Sequence, residues 1–289
     1  MELRETFLLL LFASLTHNQF IHCVLSFYIQ VTASSAPMHS PSSFSSPLSC
    51  SSPKLKQIGC SARLNHLFNS VRSGDLSTLL SIPPSELRLA LDVNGSTLLH
   101  WSAGSGSLPL TAFLSSPSVG CDISARQQAS KGFGGRTPLH WASRNGHADV
   151  VGLLLASFRT LGASPLALTQ LLDKQACDGT TAFCLAAWAA SVPVLRLLFE
   201  EGADVHLPNK YGCNAALWWA QGLPAKEDFG VGGVGGRGED AAAGASAKED
   251  EALEAGAFLR TNARVDFGAV NSNGHSALHK AGQRGNLAV

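Results

Sequence analysis

Acidic residues are missing from the first quarter of this 289-residue chain, because no Asp or Glu lies between Glu5 and Asp75. The whole chain nevertheless balances 21 basic with 21 acidic residues, so no overall charge favours binding to nucleic acid. The N-terminal region therefore differs in kind from the rest. Apolar residues amount to 45%, which is enough for a sizeable core in one or two domains.

Closely paired cysteines are also absent. The seven cysteines are scattered along the chain, and no two of them form a CxxC pair. An odd number at wide spacing argues against a disulfide framework. Cys177 and Cys184 are most simply explained as small buried apolar residues.

The N-terminal segment lacks an unbroken apolar run of the roughly 20 residues that a transmembrane helix needs. Residues 7–15 and 20–31 are apolar, but the polar stretch THNQ separates them. We therefore interpret residues 1–33 as a signal-peptide-like segment with a small-residue cleavage site at Val31 and Ala33. Any membrane contact is expected through residues 7–31 alone.

A Ser/Pro-rich leader follows at residues 34–61. Residues 34–53 contain ten Ser and four Pro and no acid, so we predict that the leader is disordered. A signal-like run before such a segment resembles the two-part leaders that direct algal proteins to plastids through the secretory route. A cytoplasmic location follows instead if translation starts at Met38, and secretion is the less favoured alternative.

The remainder of the chain contains internal copies of one pattern. The copies begin GSTLLHW at Gly95, GRTPLHW at Gly135, GTTAFCL at Gly179, GCNAALW at Gly212 and GHSALHK at Gly274. The third and fourth copies are 33 residues apart, and the other spacings of 40, 44 and 62 imply insertions. A repeat of this period indicates a solenoid.

The residue types in the second copy explain why it would form a helix pair. Thr137 can cap a helix, and Pro138 suits the first helical position because it has no N–H to satisfy. The run VVGLLL at residues 150–155 supplies the apolar side of a second helix. One helix pair cannot bury these side chains, whereas stacked neighbours can.

The pattern resembles the ankyrin repeat, G-x-T-P-L-H-x-A-A-x-x-G-H followed by V-V-x-L-L-L-x-x-G-A-D-V. The resemblance covers residues 62–289 and implies an all-α solenoid of about five repeats behind an N-terminal capping repeat at 64–80. Residues 222–250 are rich in Gly, Ala and charge, and we predict a flexible insertion between the two helices of the fourth repeat.

Histidine recurs at one repeat position, as His100, His140 and His279. Stacked helices lie about 8–10 Å apart, too far for these rings to share a zinc ion at about 2.0 Å. No metal site is therefore predicted. The family resemblance implies instead a hydrogen bond that ties neighbouring repeats, and Cys184 and Leu217 in the same position predict a weaker tie there.

Tryptophans fall at three kinds of repeat position. Trp101 and Trp141 follow the histidine, which favours packing between repeats, and Trp219 stands where the family has Ala, so the fourth repeat must pack unusually. Trp188 aligns with a variable position on the concave face. Either it is an exposed interface anchor, or Ala189 and Ala190 lengthen the helix and bury it.

The resemblance implies a function in protein binding, through the concave face and the turn tips. We expect a non-catalytic scaffold or adaptor that acts as a monomer, without cofactor, small-molecule substrate or nucleic acid. The alternatives are a recognition module of a larger enzyme that continues beyond residue 289, and a membrane-tethered adaptor. The candidate partner-binding residues mix aromatic, amide and mostly basic groups, which suits an acidic or mixed partner. They are Arg136, Arg144, Asn145, Thr180, Trp188, Lys210, Tyr211, His275, Gln283 and Arg284.

Overall fold

The computed structural model describes residues 58–128, 134–223 and 239–284. Within these ranges the chain forms thirteen helices and no strand, apart from one isolated bridge between Leu91 and Thr97. The helices are α1 Ile58–Ser73, α2 Leu76–Leu80, α3 Pro84–Leu89, α4 Leu98–Ser105, α5 Leu108–Ser115, α6 Pro138–Arg144, α7 Ala148–Thr160, α8 Pro165–Leu172, α9 Ala182–Trp188, α10 Val192–Glu200, α11 Ala215–Gly222, α12 Glu239–Thr261 and α13 Ala277–Gln283.

The helices form two stacked rows. The inner row runs α1, α4, α6, α9, α11 and α13, and each of these helices packs against the next. The outer row runs α5, α7, α10 and α12, and each outer helix also packs on the inner helix of its own repeat. This arrangement confirms the predicted all-α repeat solenoid.

The same residues start three of the inner helices. Thr97, Thr137 and Ser276 each cap a helix, with a side chain that accepts the backbone N–H three residues later. The histidine at that third position returns the bond, because its ring nitrogen accepts the N–H of the capping residue. Two donors that a helix N-terminus leaves unpaired are thereby satisfied in each repeat.

The boundaries differ from the prediction at two places. Helix α1 begins at Ile58, so the repeat domain starts before residue 62. Helix α12 begins at Glu239, inside the stretch 222–250 that was predicted to be flexible. That stretch ends in EDAAAGASAKED, and its Ala, Glu and Lys residues favour helix strongly.

Three predicted features lie wholly or partly outside the described ranges. They are the signal-peptide-like segment 1–33, the Ser/Pro-rich leader up to residue 57 and residues 224–238 of the predicted flexible insertion. None of the helices in the part that the structure describes is long and apolar enough to span a membrane. The additional helix α8 lies in the insertion implied by the 44-residue spacing from Gly135 to Gly179.

The first prediction concerns the apolar core between the two helix rows, which the substitution Leu154→Ala should weaken. Leu154 lies on α7 with 0% of its surface exposed, so the truncation should lower the free energy of unfolding by about 2–5 kcal/mol. Urea denaturation followed by circular dichroism measures this. Leu166→Ala is the control, since Leu166 is exposed and should change stability by less than about 0.5 kcal/mol. A loss below about 1 kcal/mol at Leu154 would contradict the assigned register.

A second prediction concerns the end of α9. Gly106 and Gly146 end the preceding inner helices with positive φ, and Ala190 takes the same conformation at φ 53°. Because an L side chain in this conformation costs roughly 1–2 kcal/mol, Ala190→Gly should stabilise the fold by about 0.5–1 kcal/mol. The control is Ala189→Gly at φ −77°, which should destabilise it by a similar amount. If both variants lowered the free energy of unfolding equally, the backbone of Ala190 would not be strained.

Candidate partner-binding surface

The ten predicted binding residues do not share one environment. Six are exposed, three are half-buried and one is buried. The exposed residues are Arg144, Asn145, Lys210, Tyr211, Gln283 and Arg284, and the half-buried ones are Arg136, Trp188 and His275. We use the name inner-helix surface for the C-terminal ends of the inner helices, together with the turn that precedes each of them.

Thr180 is a correction to the predicted set. Its side chain is 0% exposed, so it is part of the interior rather than of a binding surface. Its carbonyl oxygen receives the hydrogen bond from His140, and its N–H donates to Asp178. Thr180 directly follows the turn glycine, at the position where the histidine of the preceding repeat binds. The Thr180 side chain is buried at this boundary between repeats.

Hydrogen bonds from the buried histidines confirm the predicted tie between repeats. His100 Nε2 lies 3.0 Å from the carbonyl oxygen of Arg136, and His140 Nε2 lies 3.1 Å from that of Thr180. In both rings Nδ1 accepts the N–H of the capping threonine. The proton of the neutral imidazole therefore lies on Nε2, which donates across the repeat boundary.

Two repeats without the histidine use other donors. The thiol of Cys184 lies 3.8 Å from the carbonyl oxygen of Leu207, a sulfur contact in place of the imidazole bond. Beside Leu217, the capping residue Asn214 donates from Nδ2 to the carbonyl oxygen of Asp266 at 2.7 Å. The sequence reasoning missed Asn214, although its position at the helix N-cap was visible in the register. The relative strength of these ties stays a prediction.

The tryptophans that follow the histidines pack between repeats, as predicted. The Trp101 and Trp141 rings lie with centroids 5.7 Å apart, and the guanidinium of Arg72 lies 4.7 Å from the Trp101 ring. Trp101 Nε1 donates to Asp92 at 2.9 Å. Trp218 occupies the equivalent place in the fourth repeat and is half-buried, and the spacing from Gly212 could have identified it.

Trp219 and Trp188 have different surroundings. Trp219 is buried, and its Nε1 donates to the carbonyl oxygen of Ala252 on α12. A Cβ at Gly256 would lie 2.5 Å from its ring, so a missing side chain on α12 makes room for the indole. Trp188 is half-buried under the guanidinium of Arg144, whose carbon lies 5.0 Å from the ring centroid. The helix is not lengthened after Trp188, because α9 ends there.

The other predicted residues lie at separate places along the inner-helix surface. Asn145 donates from Nδ2 to the carbonyl oxygen of Gly104 at 2.6 Å, so it ties two repeats while remaining exposed. Lys210 and Tyr211 form one turn tip. His275, Gln283 and Arg284 belong to the last described repeat, where the ring of His275 stacks on that of His279.

Besides the predicted residues, a binding site could consist of metal-binding groups or of a groove. The described residues contain no group of three or more His, Cys, Asp or Glu that could hold a metal ion. A mainly apolar groove of about 820 Å³ lies between α12 and the turn at residues 265–268, with Trp219 and Leu253 in its wall. None of the ten predicted residues lines this groove.

The comparison with protein families identifies the class of the chain. Residues 67–167 match the model for ankyrin repeats in three copies, and residues 178–210 match the model for an ankyrin repeat. The chain therefore contains ankyrin repeats within residues 67–210. Ankyrin repeats are generally modules of protein–protein interaction and are typically non-catalytic. The matches end before α11, and the stacking of α11, α12 and α13 continues the same arrangement.

The buried histidines predict acid sensitivity. Desolvation lowers the pKa of His100 and of His140 from 6.5 to about 4, so the unfolded chain binds more protons between those values. Each neutral imidazole therefore makes its full contribution to the free energy of unfolding above about pH 6.5, and this contribution is lost as the pH falls towards 4. We expect about 2 kcal/mol of lost stability per histidine between pH 7 and pH 5.

Urea titrations at pH 7, 6 and 5 measure this loss. His140→Gln should remove about half of the pH dependence. An unchanged pH dependence in His140→Gln would show that other groups cause it.

Proposed function

We propose that this chain is a non-catalytic scaffold that binds a partner protein as a monomer, through the inner-helix surface and the turn tips. The observation that carries the proposal is the contact between Arg144 and Trp188, which presents a cation and an aromatic ring from neighbouring repeats. Arg and Trp are among the side chains that contribute most to protein interfaces.

Rigid presentation supports this role. Arg144 ends α6 and Trp188 ends α9, and these helices pack directly on each other. Tyr211 is 59% exposed at a turn tip, and its backbone is fixed by bonds to Asn209 and from Ser272. Side chains held by a rigid backbone lose little further entropy on binding.

The reactive side chains of the repeat domain also support a non-catalytic role. Burial raises the pKa of the Cys184 thiol to about 11 and that of Cys121 to about 12, which disfavours the thiolate that a nucleophile needs. Both nitrogens of His140 are used in the helix cap and in the tie between repeats. None of these three side chains is therefore available to a substrate.

Site-specific photocrosslinking tests the proposed surface. A benzophenone amino acid replaces Tyr211 in one variant and Leu161 in another, because both residues are exposed, at 59% and 46%, and Leu161 follows the outer helix α7. Each variant is irradiated in extract of cells that make the protein. We expect discrete adducts from position 211 that excess wild-type chain abolishes, and few or none from position 161.

Two results would contradict the proposal: equal adducts from both positions, or no adduct from position 211. Arg144→Ala should weaken the adduct at 211 if the partner extends along the inner-helix surface, and the same variant should melt within a few degrees of the wild type because Arg144 is exposed. Light scattering of the purified chain should give the mass of one copy.

A further inference from the structure

We propose that the inner-helix surface recognises an acidic segment of the partner protein, with carboxylates bound by Arg136 and Arg144 beside the Trp188 ring. This inference rests on the proposed function and adds the chemical class of the partner. It is carried by the distribution of charge over the two helix rows and by the unpaired state of these two arginines.

The inner helices contain no acidic residue. None of the six inner helices, α1, α4, α6, α9, α11 and α13, includes an Asp or a Glu, whereas they include Arg63, Arg72, Arg144 and Lys280. The outer helices α7, α10 and α12 do contain acids. Among the outer helices, α7 and α10 each balance one acid with one arginine, so the acidic excess of the outer row lies on α12.

Acids near the inner-helix surface lie in the turns, where backbone groups occupy them. Asp92 accepts two backbone N–H groups and the indole N–H of Trp101. Asp178 accepts the N–H of Thr180 through one carboxylate oxygen. Asp178 partly offsets the charge of Arg136, since it raises the pKa of that group, but one carboxylate does not balance two guanidinium groups.

Arg136 has an unsatisfied donor. Its side chain is half-buried, and Nε is buried with no hydrogen-bond partner. Burial and the nearby charge of Arg144 both lower the pKa of this guanidinium. Because Nε has almost no accessible surface, an incoming carboxylate would bind the terminal nitrogens of this guanidinium. A charge-assisted hydrogen bond there would offset part of the free energy that the unpaired buried donor costs.

Arg144 is prepared for the same ligand in another way. Its guanidinium carbon lies 5.0 Å from the centroid of the Trp188 ring, a cation–π contact that favours this placement of the group. A guanidinium can bind a carboxylate in a bidentate manner. The salt bridges in the described ranges pair Arg63 with Glu86 and Arg159 with Glu201. Neither involves Arg136 or Arg144.

A protein carboxylate fits better than a nucleic acid. Binding along a phosphate backbone draws on many cations spread over one face, whereas here the charges of Arg144 and Asp178 are the ones near enough to shift the pKa of Arg136. An aromatic ring next to Arg144 suits an apolar side chain adjacent to the acid. The expected ligand is therefore a short segment that combines Asp or Glu with an apolar residue.

Selection from a phage-displayed library of random 12-residue peptides tests the inference without knowledge of the partner. The full chain is the bait, and selected peptides are synthesised and titrated by fluorescence anisotropy. We expect enrichment in Asp and Glu, about 10-fold weaker binding to Arg136→Gln and to Arg144→Gln, and weaker binding as salt rises. Arg159→Gln is the matched control on the outer row and should bind like the wild type.

The outcomes separate the inference from the proposed function. Peptides that lack acidic enrichment but compete with a photocrosslinked partner at Tyr211 would overturn the inference and leave the scaffold role intact. Peptides that bind both arginine variants as tightly as the wild type would also overturn it. Equal competition by a 20-residue oligothymidylate would favour nucleic acid instead. Arg136→Lys, which keeps the charge and loses the bidentate fork, should bind between wild type and Arg136→Gln.

Discussion

Each repeat buries its apolar side by stacking on its neighbours, and at two boundaries a buried imidazole hydrogen bond crosses between the repeats. His140 joins a helix cap in its own repeat to a carbonyl oxygen of the next one. The apolar side chains around it, such as Leu139 and Phe183, are fully buried by the same stacking. The bond requires a neutral ring, so the protonation state of one side chain is linked to the integrity of the boundary.

The same stacking determines what the protein can present to a partner. Because the backbone of each inner helix is fixed by its neighbours, residues at the helix ends are held at fixed positions. Arg144 from one repeat meets Trp188 from the next, and Asn145 reaches back to the preceding repeat. In the outer row, by contrast, Arg159 forms a salt bridge with Glu201. Recognition of an acidic partner would use Arg136 and Arg144 on the inner-helix surface, which form no salt bridge with the described residues.

Departures from the repeat pattern are compensated locally. The fourth repeat has the large Trp219 where a small residue is usual, and Gly256 on the opposing helix leaves room for its ring. The carbonyl oxygen of Ala252 accepts the indole N–H, so a polar group is not buried without a partner. The third repeat has Ala190 in the positive-φ position that Gly106 and Gly146 occupy in the preceding repeats.

The sequence by itself determined the repeat register and the helix cap at Thr137, because these depend on spacings of a few residues within one motif, and the role of the buried histidines followed from the resemblance to ankyrin repeats. It also placed Arg144 and Tyr211 on the surface, since both lie at variable positions. Only the tertiary structure decided which side chains cross a boundary. It buried Thr180, supplied Asn214 as a substitute tie and covered Trp188 with Arg144. These outcomes depend on distances between repeats that are more than 30 residues apart, and no local pattern fixes those distances.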